Sequence, residues 1–482
     1  MMTVRQRIDD MKNHDVKRNL FLFLVAMIAT LLAGCTLAPE YTKPASPVPR
    51  NWPTGAAYGE IQSAASVAAD LPWREVFTDQ RLQEVIGTAL NSNRDLRLAA
   101  LNVERARALY GIQRAELLPT VNAVGSGSKS RVPADLSSTG RAMTAERYDV
   151  NLGITSWEID FFGRIQSLKD RALEEYLATD QARRSAQILL VSAVANTYLT
   201  LAADREALNL VASTHEAQEA SYKMIRKLQS VGLASDLEVR QAQSQVDIAR
   251  GDVARYTQLA AQDENALMLL VGSPLPPELL PADLGSVHPP REVEPGLSSE
   301  VLLRRPDVLA AEHLLKAANA NIGAARAAFF PRISLTAAIG TASADLSGLF
   351  KGGSGMWAFA PQIAVPIFDA RTWSAYDVTK ADREISVTQY EKAIQTAFRE
   401  VADALAVRGT VDRQIAAQQS LIEAVSEAYR LSNARYTRGI DSYLGVLDAQ
   451  RSLYAAQQGL IMLHLVRLAN RVTLYSVLGG GR

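Results

Sequence analysis

Between Gly163 and Gly272 the chain contains no proline, and inside those two ends its only glycines are Gly232 and Gly251. A second proline-free run extends from Ile367 to the C-terminus. Proline in a helix interior removes a donor and clashes one turn back, so avoidance on this scale predicts very long helices. At 1.5 Å per residue, a helix from Gly163 to about Ser230 would be roughly 100 Å long. That exceeds what a globular core needs and suits a protein that reaches across a distance.

The two runs are copies. Ser230-Val-Gly-Leu-Ala-Ser-Asp-Leu-Glu-Val-Arg-Gln-Ala-Gln243 aligns with Thr437-Arg-Gly-Ile-Asp-Ser-Tyr-Leu-Gly-Val-Leu-Asp-Ala-Gln450, so that Gly232 meets Gly439 and Ser235 meets Ser442. Upstream, Asn93-Arg-Asp95 lies over Arg305-Pro-Asp307 and Leu118-Pro119 over Phe330-Pro331. A repeat of about half the chain is too long for a solenoid unit and reads as one module duplicated.

Acidic and basic residues balance at 51 each. No basic surplus or stripe points to nucleic acid. Near the start, Lys17-Arg18 precede the apolar stretch Leu20–Leu32, which ends in Leu32-Ala33-Gly34-Cys35. A basic region, a short apolar core and small residues before a cut form a secretory signal. The last four residues resemble the bacterial lipobox, which implies cleavage before Cys35, a diacylglycerol on its thiol and an acyl group on the new amine. Cys35 is the only cysteine in the sequence and sits where that chemistry needs it. Several acyl chains anchor a protein stably where one does not. The region before Met11 is long for such a signal, and Met11 is an alternative start.

The expected organisation follows. Residues 1–34 are the signal peptide. Residues 35–72, rich in Pro, Ser and Ala, form a lipidated extended tether. Residues 73–273 are the first repeat, with helices, a β-hairpin at about 120–162 and a long helical hairpin over 163–271. Residues 274–300 are a Pro-rich linker on the surface. Residues 301–482 are the second repeat, with a helix, a β-hairpin at about 331–368 and a helical hairpin over 370–478. The first helical pattern runs from Trp73 to Leu118, where Pro119 stops it. Stripes such as Leu190, Val194, Tyr198, Leu201, Leu208 and Val211, or Ile461, Leu465, Leu468, Val472 and Tyr475, are seams between packed helices.

The strand regions alternate. Tyr148, Val150, Leu152 and Ile154 share one parity, and Trp157 and Ile159 continue on the other, which predicts a bulge near Thr155-Ser156. In the second copy Ile333, Leu335, Ala337 and Ile339 alternate with small or polar residues, as do Trp357, Phe359, Ile363, Val365 and Ile367. A soluble sandwich and a membrane barrel both give one bulky and one small face. The lipid anchor and the want of further strands favour the barrel. In lipid a sheet must close, and four strands are too few. Two, three or four chains would supply eight, twelve or sixteen.

Trp73…Phe77-Thr-Asp79…Asn93-Arg-Asp95-Leu96 resembles the opening of the bacterial outer-membrane factors, the TolC-like exit ducts. More specific are Leu303-Arg-Arg-Pro-Asp-Val-Leu-Ala-Ala-Glu312 and Ala318-Asn-Ala-Asn-Ile-Gly-Ala-Ala-Arg-Ala-Ala-Phe-Phe-Pro-Arg-Ile-Ser-Leu335, which resemble the lipoprotein branch serving multidrug efflux pumps. Tyr443-Leu-Gly-Val-Leu-Asp-Ala-Gln-Arg-Ser-Leu453 and the terminal Leu478-Gly-Gly-Gly-Arg482 match as well, so the resemblance covers the mature chain. It implies an α+β membrane protein, a homotrimer with four transmembrane strands per chain in a twelve-stranded barrel. Long antiparallel helices would form an α-barrel in the periplasm. It further implies an outer-membrane location, a periplasmic adaptor and an inner-membrane pump expected to be proton-driven.

Leu444, Asp448 and Arg451, at i, i+4 and i+7, share one helix face just after the Gly439 turn. Taken alone, Asp448 and Arg451 read as a solvated ion pair worth little. The resemblance implies a periplasmic gate, with Leu444 as apolar constriction, Asp448 as acidic ring and Arg451 as latch. The first copy has Gln241 and Ser244 instead, so the two halves should not gate alike. The turns at Gly232, Leu233 and Ser235 and at Gly439, Ile440 and Ser442 read as helix-hairpin caps. The resemblance adds adaptor docking at these tips. No cofactor beyond the Cys35 lipid, no metal site and no enzyme activity are expected: the five histidines are scattered, Phe350-Lys-Gly-Gly-Ser-Gly355 lacks a phosphate-loop Lys-Ser/Thr, and Glu158 and Asp160 fit a barrel rim better than an acid/base pair. The alternatives are a duct for type I protein secretion and, in another class, a pore-less lipid-anchored coiled-coil scaffold.

Overall fold

The computed structural model describes residues 36–58, 71–296 and 298–480. The signal peptide and Cys35 lie outside the described residues. The elements are α1 (Trp73–Val76), α2 (Gln80–Ser92), α3 (Arg94–Ala115), β1 (Val121–Val132), β2 (Met143–Ile159), α4 (Arg164–Ser230), α5 (Asp236–Val271), α6 (Pro306–Ala327), β3 (Arg332–Ser343), β4 (Gly355–Ala364), α7 (Ala370–Thr437) and α8 (Tyr443–Val477). The chain divides into two compact units.

The first unit holds Glu104–Leu177 and Glu312–Thr388, with the N-terminal segment up to Lys43. Among the described residues it contains one antiparallel sheet in the order β1-β2-β3-β4, so β1 and β4 are edges. Register puts Leu152 opposite Ile339, and Ile339 opposite Trp357. One face therefore collects Val150, Leu152, Ile154, Ile339, Trp357, Phe359 and Ile363, while the other collects Asn151, Gly153, Ala338, Ala358 and Ala360. The bulky side is not a core: Trp357 is 78% and Phe359 62% exposed. The predicted bulge is present. Ile154 pairs with Ala337 and Trp157 with Leu335, leaving Thr155 and Ser156 opposite Thr336. Ser156 has φ 55°, and its N–H donates to the Thr336 hydroxyl at 3.2 Å. The extra residue returns Trp157 and Ile159 to the apolar face, which is why the sequence changes parity there.

Strand β4 stops at Ala364, opposite Arg332, short of the expected Ile367. Pro331 ends β3 and Pro366 has no N–H to offer, so the alternation at Val365 and Ile367 has no partner to pair with. At the helical side of the sheet, Glu158 accepts from Arg164 at 2.8 and 2.9 Å and pairs with Arg332 at 3.2 Å. Asp160 accepts the backbone N–H of Arg164 and of Gln166, each at 2.7 Å, and so caps the start of α4. Both carboxylates are structural.

The second unit holds Pro44–Val103, Ala178–Ala311 and Gln389–Arg482. Its core includes Val194, Tyr198, Leu201, Val211, Leu267, Val472, Leu474 and Tyr475, all essentially inaccessible. The seam residues Leu208 and Leu465 are only half-buried. The single helical pattern expected from Trp73 to Leu118 is broken into α1, α2 and α3. Asp79 caps α2 by accepting from Leu82 N–H at 3.0 Å, and Asn93 accepts from Leu96 N–H at 2.8 Å. Short polar side chains that bond their own backbone end helices wherever apolar period continues.

The Pro-rich segment differs from the surface linker its composition suggests. Leu275, Leu280, Leu284, Val287 and Val293 are buried. Tyr198 Oη donates to Leu279 O at 3.0 Å, Arg81 to Ser286 O at 2.6 Å, and Arg291 N–H to Val76 O at 2.7 Å. Proline-rich backbone has carbonyls to spare, and the helices use them. The N-terminal segment is extended yet fastened: Trp52 is buried, stacks on Phe398 at 5.4 Å and donates to Gly296 O at 3.0 Å.

Duplicated residues do matching work. Asn93 donates to Leu270 O at 2.8 Å near the end of α5, and Arg305 donates to Val477 O at 2.7 Å at the end of α8. Arg305 is buried and also binds Asp307 at 2.7 Å and Glu400 at 2.9 Å. This accounts for the Arg-Pro-Asp motif structurally. Fully buried pairs cost about 3–5 kcal/mol to break, and the partly wet acids here reduce that to about 2 kcal/mol. Arg305→Met should lower the melting temperature followed by helical circular dichroism. Arg305→Lys should recover little, since an ammonium cannot fork between two acids and a carbonyl.

Candidate functional site: the hairpin tips and the α8 face

The turn from α4 to α5 and the turn from α7 to α8 have the same geometry. Gly232 has φ 76° and Gly439 φ 72°. Gly232 N–H donates to Gln229 O at 2.9 Å and Leu233 N–H to Leu228 O at 2.8 Å; Gly439 N–H donates to Tyr436 O at 2.9 Å and Ile440 N–H to Arg435 O at 3.0 Å. This double bond pattern needs a left-handed residue, hence glycine. Ser235 forms a capping box with Glu238, whereas Ser442 makes no side-chain cap bond. Arg435 forks onto Asp441 across the second turn and holds its carboxylate below the usual range. Leu233 and Ile440 are exposed at the tips, and among the described residues no atom beyond the chain neighbours lies within 4 Å of where a Cβ on Gly232 or Gly439 would be.

Behind the tips a small core joins Ile225, Ala242, Tyr443, Val446 and Leu447, with Tyr222, Tyr429 and Tyr436 against it. Tyr443 bonds the Ser221 hydroxyl at 3.1 Å, and burial raises its phenol. With Tyr443, Val446 and Leu447 inward, helical period turns Leu444, Asp448 and Arg451 outward. Leu444 is 47% exposed, and Arg451 donates to Asp448 at 2.6 Å. The structure thus brings the three predicted side chains onto one free face. At the matching position of α5, Ser244 donates to the Gln241 carbonyl at 2.7 Å, and no charge appears.

Sequence reasoning missed a polar ladder two turns further along. Tyr454 donates to Asp252 at 3.1 Å, and Gln458 donates to Tyr454 at 2.8 Å and to Tyr256 at 3.3 Å. Burial, with the Asp252 carboxylate adding to it, lifts the Tyr454 phenol well above its usual range. The ladder ties α5 to α8. Polar residues inside an otherwise apolar stripe are the signal that would have found it.

A sheet with two free edges and a bulky exposed face, in a chain of long capped helical hairpins, defines a protomer of a strand-sharing membrane channel. The chain belongs to the outer membrane efflux protein family, whose model matches residues 85–273 and 297–480. It is 50% identical over 462 residues to the toluene efflux pump outer membrane protein TtgC of Pseudomonas putida, covering 95% of each chain. The antibiotic efflux pump outer membrane protein ArpC of Pseudomonas putida is equally similar, at 50% over 462 residues and 95% of each chain. Among solved structures, the open state of the Neisseria gonorrhoeae MtrE outer membrane channel superposes with a TM-score of 0.82 at 39% identity, covering 93% of this chain and 98% of that one. The protein is accordingly an outer-membrane efflux channel.

Proposed function

We propose that three copies of this chain assemble into the exit duct of a tripartite multidrug efflux system. Drugs and other small toxic compounds would pass through it, delivered by a proton-driven inner-membrane pump through a periplasmic adaptor. The carrying observation is the sheet: exposed Trp357, Phe359 and Ile363 suit lipid, the opposite face is small and polar, and both edges are open. Such a sheet closes in lipid only by sharing strands, and three chains give twelve. The lipid on Cys35 anchors each copy in the same membrane. The duct is passive and needs no catalytic group. The pump names of its relatives favour small compounds over secreted proteins as cargo. Purified protein in mild detergent should have the mass of a trimer and conduct ions in planar bilayers. A monomer that passes no current would instead indicate the lipid-anchored scaffold, and a deletion strain with unaltered drug sensitivity would indicate protein secretion.

In this reading Leu444 and Asp448 form the rings of the periplasmic gate and Arg451 holds them, while Gly232, Leu233, Ser235, Gly439, Ile440 and Ser442 dock the adaptor. Ile440→Trp enlarges a side chain already exposed at a tip and leaves the left-handed Gly439 in place. It should abolish drug export in cells at normal channel abundance, read as a fall in minimal inhibitory concentrations to those of the deletion strain.

A further inference from the structure

The first unit contains a cavity of about 510 Å³ walled by Pro39 of the N-terminal segment, Ile322 and Arg326 of α6, and Tyr376, Lys380, Arg383 and Glu384 of α7. Arg326 spends its hydrogen bonds on uncharged groups, donating to Leu37 O at 3.1 Å and to Tyr376 Oη at 3.4 Å. Lys380 lies 4.8 Å from the Tyr376 ring centre and pairs with Asp377 at the surface, and Arg383 pairs with its neighbour Glu384. Three cations thus face two carboxylates, and an excess of positive charge remains.

The surface leading to this cavity changes in a fixed order. Just past β4, Ile367 is 91% and Phe368 88% exposed. One to two turns into α7 come Trp373, 66% exposed, and the partly exposed Tyr376, with Phe329 set edge-on to Trp373 at 4.7 Å. Lys380 and Arg383 follow, about 10–15 Å beyond Trp373 at helical rise. Apolar, then aromatic, then cationic is the polarity profile of one bilayer leaflet from its hydrocarbon to its headgroups. The N-terminal segment fixes which leaflet. Leu37 and Pro39 contact α6, where Asn319 donates to Pro39 O at 2.7 Å, and Thr36 bonds Ser167 at 3.2 Å. At most about 7 Å of chain separates Cys35 from Leu37.

We propose that this cavity binds the phosphate headgroup of an anionic phospholipid from the leaflet that holds the Cys35 acyl chains. Arg326 supplies a guanidinium with no carboxylate bound to it among the described residues, Lys380 a second charge, and Tyr376 an amphipathic wall for the glycerol. The proposal rests on the channel being lipid-anchored at Cys35, and the two are separable by experiment. Acylation is read directly from the mass of the N-terminal peptide. Lipid capture is read by native mass spectrometry of the assembled, detergent-solubilised channel after exposure to phosphatidylglycerol or phosphatidylcholine.

The wild-type channel should retain phosphatidylglycerol, up to one per chain, and not phosphatidylcholine. Arg326→Ala combined with Lys380→Ala should cut that retention by about tenfold or more, because charge-assisted contacts to phosphate dominate such sites. Arg326→Lys should keep part of it, which separates lost charge from lost fold. Equal retention of both lipids would overturn the proposal, as would retention untouched by the double substitution. Displacement by inorganic phosphate alone would overturn it too, assigning the site to the free ion. An unacylated Cys35 with phosphatidylglycerol still bound would remove the anchor and leave the headgroup site standing.

Discussion

Phe359→Arg is expected to leave the helices folded and to remove the assembled channel from the outer-membrane fraction. Phe359 stands mid-strand on the bulky face, opposite Ala337. An arginine facing lipid at the bilayer midplane costs about 2–4 kcal/mol, and a trimer carries three of them, which rivals the whole stability of many domains. The neighbouring Ala360→Arg points to the other face, opposite Thr336, and should assemble normally while altering conductance. Fractionation and size-exclusion mass decide the first claim, and bilayer recording the second. If Phe359→Arg inserts as wild type does while Ala360→Arg fails, the lumen and lipid faces have been assigned the wrong way round.

The second large effect concerns current rather than assembly. Leu444→Ala and Asp448→Ala should each raise single-channel conductance, and the double variant should raise it most. In the proposed gate, apolar and acidic rings would restrict polar solutes by dewetting and by charge, so removing either would widen or relax it. Stability should barely change. The Asp448–Arg451 contact is an exposed i, i+3 pair, worth about 0.3–0.5 kcal/mol. That contrast gives the test its force, because a rise in current without a fall in melting temperature cannot be blamed on unfolding. Gln241→Ala on the first repeat serves as the control and should leave conductance unchanged. Currents identical to wild type in both α8 variants would take Leu444 and Asp448 out of the gate.

Much of this fold is legible in the sequence because its main rules are local. Avoiding proline across Gly163–Gly272 is enough to write two long helices, and the parity switch at Thr155-Ser156 is enough to write a bulge. That Leu444, Asp448 and Arg451 share a face follows from helical period alone, while its outward direction comes from the burial of Tyr443, Val446 and Leu447. What escaped was set by distant partners. The break at Asp79 depends partly on His288, whose backbone N–H donates to the same carboxylate at 3.0 Å from across the sequence. The end of β4 depends on where β3 begins. The packing of 274–300 against Tyr198 and Val76, and the ladder from Asp252 to Gln458, arise only when segments far apart in sequence meet. Local pattern names the faces, and tertiary contact decides what they touch.

The order β1-β2-β3-β4 has a consequence for how such a chain is made. Until neighbours arrive, β1 and β4 each present a row of bare amides and carbonyls beside a greasy surface, the arrangement most prone to mispairing. A newly exported copy therefore travels through the aqueous compartment in its most vulnerable state. The yield of channel should therefore fall disproportionately when synthesis outruns insertion.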